Sequence, residues 1–234
     1  MGLFSIRRNK NAAHAPNPDQ IAIEAISQKL ARLREVAGMI KGANEEITKV
    51  QLIFPFLVAF GWDVTDPRTG MMEVNAGRNN RADIMLKRNE VVKVVIEAKR
   101  IGRPLDEHYD QLMSYFMNCK AWIGILTDGV IYQFYSFDGD TDWMDTTPFA
   151  VIDIHDPKID SINSFMLHFR KSEFNPERIA MLGQAPHTRL KLGGKTLDPN
   201  DHNVRAAFQK DFPQASPGDL DELIEFANTH YYYQ

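Results

Sequence analysis

The chain of 234 residues is defined first by what it lacks. It has one cysteine, Cys119, which excludes an internal disulfide and a cysteine-based zinc site and suits a reducing, cytoplasmic setting. No apolar run approaches the roughly 18–20 residues of a membrane helix, so no membrane span is expected. The apolar patch in Met1-Gly2-Leu3-Phe4-Ser5-Ile6-Arg7-Arg8 is too short for a secretory signal, and Ile6 stands where myristoylation needs Ser or Thr. The seven histidines show no paired metal-ligand spacing, and there is no internal repeat. Gly193-Gly194-Lys195-Thr196 resembles a phosphate loop but lacks its earlier glycine, since position 189 is Arg, and reads as a turn. Positive charge is also short: 27 basic against 31 acidic residues give −4, which taken alone argues against nucleic acid. What remains is 44% hydrophobic and 25% charged, the balance of an ordinary globular protein of one main domain with a small appendage.

Residues 1–18 carry no period and read as a mobile arm. The main unit then spans 19–172, and a Pro-, Gly- and polar-rich segment, 173–234, reads as a small helical appendage. Within the main unit, Ile21, Ile23, Ile26, Leu30, Leu33, Val36 and Ile40 recur at three and four, predicting a helix over 19–41. Asn44 caps a second helix with Glu45 and Glu46 in its first turn. Its apolar face runs from Val50 to Phe60, Pro55 should kink it, and Gly61 stops it. Short β-rich runs follow at 62–64, 71–74, 82–86 and 91–98, with a hairpin turn over 87–90. A helix is predicted over 105–118, strands over 121–127 and 130–137 about a turn at Thr127-Asp128-Gly129, and an acidic loop over 138–147. A strand over 149–154 and a helix over 159–169 complete the unit. The appendage could hold helices over 198–212 and 217–230.

The chemistry lies where the strongly apolar strand ends in Glu97-Ala98-Lys99. Residues two apart on a strand share a face, so Glu97 and Lys99 point together with Ala98 packed behind them. Asp83, on the preceding strand, pairs by hairpin arithmetic with about residue 94 or 95, close enough to share a site with Glu97 if the strands twist or bulge. Two converging carboxylates suit a hard divalent cation, and an adjacent ammonium suits an attacking water and a charged phosphorane. A Glu-x-Lys alone occurs by chance roughly once in 250 positions and is most often a solvated strand face. Its place at the end of a buried strand is what sets this one apart.

In this order of helix, three strands, helix and two strands, Asp83 with Glu97-Ala98-Lys99 resembles the PD-(D/E)xK nuclease superfamily. The nearer resemblance is to the N-terminal nuclease domain of type I restriction enzyme R subunits and related stand-alone restriction nucleases. Supporting it are Asn44-Glu45-Glu46-Ile47-Thr48, Leu52 to Leu57, Gly61-Trp62-Asp63, Arg81-Ala82-Asp83-Ile84, Gln111-Leu112-Met113-Ser114-Tyr115 and Leu126-Thr127-Asp128-Gly129, over about residues 40–140. Ala82 stands in place of the superfamily's proline. The resemblance implies that 19–172 is a nuclease domain, an α/β fold with an αβββαβ core and a mixed sheet flanked by helices. It implies Asp83 and Glu97 as metal ligands and Lys99 as the catalytic lysine. A helix acid would complete the set, Glu45 by alignment with Glu46 as the fallback, against the plain alternative of helix-start acids meeting the dipole. Gln111 and Tyr115 lie one helical turn apart on one face and would support the site or contact the DNA backbone, against the alternative of a polar helix surface. His108 reads as a surface residue, Cys119 as a partly buried thiol, the aromatics from Trp122 to Phe137 as core, and Tyr231–Tyr233 as residues that pack.

The function this implies is a Mg²⁺-dependent DNA endonuclease, with Mn²⁺ as a substitute metal, in a defence system, phage or mobile element. DNA is the expected partner and a homodimer a natural assembly, while a chain of this length leaves no room for an ATP-driven motor. The alternatives are a nuclease-fold module that binds nucleic acid or protein without cutting, and an interaction protein of immunity type. Charge then reads differently. From Ala76 to Leu105 eight basic residues face three acids, a local balance of +5. Arg78, Arg81, Arg100 and Arg103 would carry DNA contacts, because a local field rather than the whole-chain average steers a polyanion.

Overall fold

The structure, a computed structural model, describes residues 17–75, 81–137, 143–155 and 163–229. The arm to residue 16, Arg78, the acidic loop at 138–142, residues 156–162 and the tyrosine run at 231–233 lie outside them. Among the described residues no helix is long and apolar enough to cross a membrane.

Helix α1 (Pro18–Met39) starts on Asn17, whose side chain accepts from the Asp19 amide, with Pro18 where a missing N–H costs nothing. Its stripe of Ile26, Leu30, Leu33 and Ala37 is buried. Asn44 caps α2 (Glu45–Thr48) through a hydrogen bond from the Ile47 amide. The helix then widens into a π-turn over Lys49–Ile53 before resuming as α3 (Phe54–Ala59). The wide turn accounts for Pro55. In an unbroken α-helix its ring would collide with the carbonyl four residues back, and one inserted residue relieves the clash, so the expected kink becomes a π-bulge. Gly61 ends the helix at φ +83°.

Six strands form one mixed sheet in sequence order: β1 (Gly70–Asn75), β2 (Arg81–Arg88), β3 (Val91–Ala98), β4 (Ile123–Thr127), β5 (Ile131–Tyr135) and β6 (Ala150–Asp153). Among the described strands only β3 and β4 run parallel, joined across one face by α4 (Tyr109–Cys119), as a parallel pair requires. The segment 62–64, predicted as β-rich, is not a strand. Trp62 is buried and its indole N–H donates to the Phe169 carbonyl at 3.0 Å, which fixes the chain as a turn.

The two sheet faces bury different sets. Leu112, Tyr115 and Phe116 of α4 cover Met85, Val95 and Leu126. The other face carries Ile84, Leu86, Val94 and Ile96 against α1 and α3, where Phe56 stacks on Tyr132 at 3.7 Å between ring centroids. Truncating Phe56 to alanine would cost about 3–5 kcal/mol. The same cluster continues through α5 (Asn163–Phe169), α6 (Pro176–Lys191), α7 (His202–Asp211) and α8 (Pro217–Thr229), with Ile179, Leu182, Phe208, Leu223 and Phe226 all buried. Helix α6 has no counterpart among the predicted elements. The Gly193-Gly194 pair is the turn after it, where the buried Arg189 side chain bonds the Gly194 and Lys195 carbonyls. A phosphate loop would present N–H groups at the start of a helix instead.

Candidate active site

The helix carrying Glu45, Glu46 and Lys49 is locked to the loops beyond the sheet. The Thr48 hydroxyl accepts from the Ile101 amide at 3.1 Å. Gly129, at φ +83°, lets the Thr127–Gly129 turn come so close that a β-carbon there would lie 2.9 Å from Leu52 Cβ and 3.0 Å from Thr48 Cγ2. Asp128 holds the same turn by accepting from the amides of Val130, Ile131 and Gly102.

The strands supply the carboxylates. The hairpin turns at Asn89-Glu90, both at positive φ, in the second half of the expected 87–90 turn. Pairing then runs Arg88↔Val91 and Lys87↔Val92 but resumes at Leu86↔Val94, leaving Lys93 as an extra residue on β3. This bulge is pinned from outside, for the Lys93 carbonyl accepts from the Trp122 amide at 2.9 Å and its ammonium lies 5.2 Å from the Trp122 ring centre. Turn and bulge together advance the register, and the pairing ends at Ile84↔Ile96. Asp83 is therefore opposite Glu97, not residue 94 or 95. No extra twist is needed to bring the two acids together.

Asp83 accepts from the Ala98 amide through Oδ2 at 2.9 Å and from the Lys49 ammonium through Oδ1 at 3.4 Å. Glu97 is 1% exposed. Its Oε1 accepts from the Lys99 ammonium, while its Oε2 is buried with no hydrogen-bond partner. Lys99 is also 3.5 Å from Gln111 Oε1, and Gln111 Nε2 donates to the Tyr115 hydroxyl at 2.8 Å. Gln111 and Tyr115 thus do share a face, and they form a chain that ends on Lys99. Lys49 does not stand out in the sequence. It is buried, and its ammonium lies 2.5 Å from Glu46 and 3.9 Å from Glu45.

Burial, and then the charge of Asp83, push the Glu97 carboxyl up to about 7 against the pull of Lys99. Glu45 is raised for the same two reasons. Burial pulls Lys49 down, but its hydrogen bond to Glu46 and the charge of Asp83 outweigh that and leave it above the ordinary lysine value. His108 is lowered by burial and by Lys99, and its Nε2 is buried without a partner. The strand acids fit the hard cation implied above. A buried carboxylate oxygen with no donor, opposite a second carboxylate, is the donor chemistry such an ion takes, and Mg²⁺ is commonly bound by one or two carboxylates plus waters. A preformed three-acid cage is not part of the picture: among the described residues no three Asp, Glu, His or Cys side chains are grouped to hold a metal. Asp83 and Glu97 fit a two-carboxylate site with Glu45 at its margin.

The arginines expected on DNA are placed unequally. Arg81 and Arg100 are exposed at the sheet end that carries the carboxylates, whereas Arg103 is tied to Glu107 at 3.1 Å. Elsewhere, His187 lies 2.6 Å from Asp145 and His168 2.9 Å from Glu222, each in an ion-pair position rather than a metal set. Cys119 is partly buried and its thiol is pushed up by burial.

A helix, three strands, a crossover helix and a parallel strand thus bring Asp83, Glu97 and Lys99 to one end of the sheet. The particular likeness is to the type I restriction enzyme R protein N terminus, whose family description matches residues 69–143. That span holds Asp83, Glu97, Lys99, Gln111 and Tyr115; Glu45 and Lys49 precede it. Among solved structures, a DrdV–DNA complex determined by cryo-electron microscopy aligns at 15% identity and a TM-score of 0.43, over 86% of this chain and 20% of that one, so this chain spans a fifth of its length. No curated protein matches.

Proposed function

We propose that the chain is a Mg²⁺-dependent DNA endonuclease, with Mn²⁺ able to substitute, acting as a restriction-type nuclease of a defence system, phage or mobile element. The observation that carries this reading is Glu97: a carboxylate 1% exposed, one oxygen without a donor, opposite Asp83 and beside Lys99. A core built for stability alone has no use for such a group. DNA rather than a small phosphate ester is favoured by the exposed Arg81 and Arg100 and by the local positive balance around the site.

A bound Mg²⁺ supplies Lewis-acid polarisation of the phosphoryl group and a water of lowered pKa. The chain's own residues do the rest. Asp83 and Glu97 hold the ion, and the Ala98 amide fixes Asp83 by taking one of its oxygens. Lys99 offers its ammonium to the attacking water and to the oxygens that gain charge on phosphorus. Gln111 turns its carbonyl toward Lys99 because its amide is spent on the Tyr115 hydroxyl. The new P–O bond forms in line as the bond to the leaving sugar oxygen breaks.

The test is plasmid cleavage with Mg²⁺ and with EDTA. Cleavage should need the metal and should vanish in Glu97→Ala and Lys99→Ala; full metal-dependent activity in either variant overturns the assignment. One observation favours the rival reading of a module that binds without cutting, namely that both lysines already occupy carboxylate oxygens. That reading predicts DNA retention without turnover in both Mg²⁺ and Mn²⁺.

A further inference from the structure

Lys49 is a long cationic side chain with 6% of its surface exposed, a degree of burial lysine tolerates only when paired. It reaches this position on the π-turn, and three acids lie within 4 Å of its ammonium: Glu46 at 2.5 Å, Asp83 at 3.4 Å and Glu45 at 3.9 Å. The division of labour on Asp83 matters most. Its Oδ2 is committed to the Ala98 amide, so Oδ1 is the oxygen left for a ligand, and Oδ1 is the one Lys49 holds. Glu97 shows the same pattern with one difference. Lys99 holds Oε1, and Oε2 is bare. A cation arriving here finds one free carboxylate oxygen and one already claimed. Glu46, two-thirds exposed and bonded to the same ammonium, offers Lys49 another partner when Asp83 is taken.

We propose that Lys49 is the resident counter-ion of the site: its ammonium stands in for a divalent cation at Asp83, competes with that cation for Oδ1, and so sets how much free cation the protein needs before it loads. Glu46 is then a positioning residue for Lys49 rather than a cation ligand, which separates the two helix acids that sequence alone left as alternatives. The inference rests on the cation-dependent reading above and deepens it. Competition follows from charge: an ammonium within 4 Å of a carboxylate oxygen is worth a factor of about five against a second cation at the same oxygen, even with water-like screening.

The test measures cation affinity without DNA and without turnover, by calorimetric titration of Ca²⁺ and of Mn²⁺ into the wild type, Lys49→Met, Lys49→Gln, Glu46→Gln and Asp83→Asn. Lys49→Met keeps the length of the chain in its buried slot and removes the charge; it should bind both ions about fivefold more tightly. Glu46→Gln should bind a few-fold more weakly, because Lys49 loses its other partner and stays on Asp83. A merely structural lysine would move the melting temperature and leave affinity unchanged or poorer. If Lys49→Met does not fold, Lys49→Gln decides the matter, since its amide can still donate to Asp83 without the charge. Wild-type binding that is lost in Asp83→Asn but unchanged or weaker in the Lys49 variants overturns this inference and leaves the cation site standing. No binding by any of the proteins overturns both.

Discussion

Two glutamates in this molecule, Glu97 buried and Glu222 partly buried, sit among charges and behave in opposite ways. Glu222, on α8, accepts from the Arg178 guanidinium at two positions and lies against His168. Burial pushes it up, but these bonds win and hold it near pKa 2. Glu97, on β3, has one ammonium for two oxygens and sits opposite another carboxylate. Burial wins there and holds it near 7. Both residues are glutamates in a low-dielectric setting, so the difference lies in what surrounds them. A buried acid with every acceptor served belongs to the structure, and one left short of donors points to a ligand outside the chain.

The largest expected effect breaks the contrast at its functional end. Glu97→Gln should lower Mg²⁺-dependent cleavage by at least about a hundredfold in a plasmid assay, the scale for losing a group that acts on developing charge. Deleting Asn89 should do as much without touching an active residue, because the turn would re-form one residue earlier and slide Asp83 from Glu97 toward Ile96; circular dichroism should show the sheet retained. Deleting Lys93 is the matched control. It removes only the unpaired residue, leaves Leu86 opposite Val94 and Ile84 opposite Ile96, and should keep most of the cleavage. Next comes the structural end. Glu222→Gln strands the buried Arg178 with Asp219 alone and should destabilise the protein by about 3 kcal/mol in denaturant unfolding.

Acid and base sharpen the comparison further, with opposite signs. Glu97 is raised in the fold, so the unfolded chain ionises first as pH rises from about 4.5 to about 7. The cation-free protein should therefore lose stability across that window, up to about 3 kcal/mol, and recover it in Glu97→Gln. Glu222 is lowered in the fold, so its contribution is present above about pH 4.5 and drains away toward pH 2. Thermal melts of the two Gln variants against pH should cross the wild type in opposite directions. The smallest effect is Tyr115→Phe, which frees Gln111 and should slow cleavage a few-fold while changing stability by about 1 kcal/mol or less.

The strand bearing Glu97-Ala98-Lys99 was legible in the sequence because charged residues seldom close a buried β-branched run without a task. The pairing of Gln111 with Tyr115 was legible too, since helical spacing alone puts them on one face. Register was not legible. The turn falls at 89–90 because two non-glycine residues adopt positive φ, and the bulge at Lys93 depends on Trp122, which is nearly thirty residues away. Lys49 was invisible for a similar reason. A lysine on a helix reads as solvated, and only the docking of that helix on Asp83 buries it. Helix α6 was hidden by Gly183 and Pro186, although Asn175 before Pro176 is the cap it uses, accepting from the Arg178 amide at 3.0 Å.

The bulge at Lys93 turns the hairpin into a ruler with one graduation added. A surface turn ordinarily tolerates gain or loss of a residue, since exposed backbone has little to lose. Here the length of an exposed loop is read out at the far end of two strands as which atoms meet. A chain descended from this one could shorten the Asn89-Glu90 turn by a residue and keep Asp83 opposite Glu97 if the bulge gave up its unpaired residue to match, or else it would turn Asp83 to the opposite face of the sheet from Glu97. Tolerance to gain or loss of a residue along β2 and β3 thus depends on whether that residue is paired, and exposure at the tip says nothing about it.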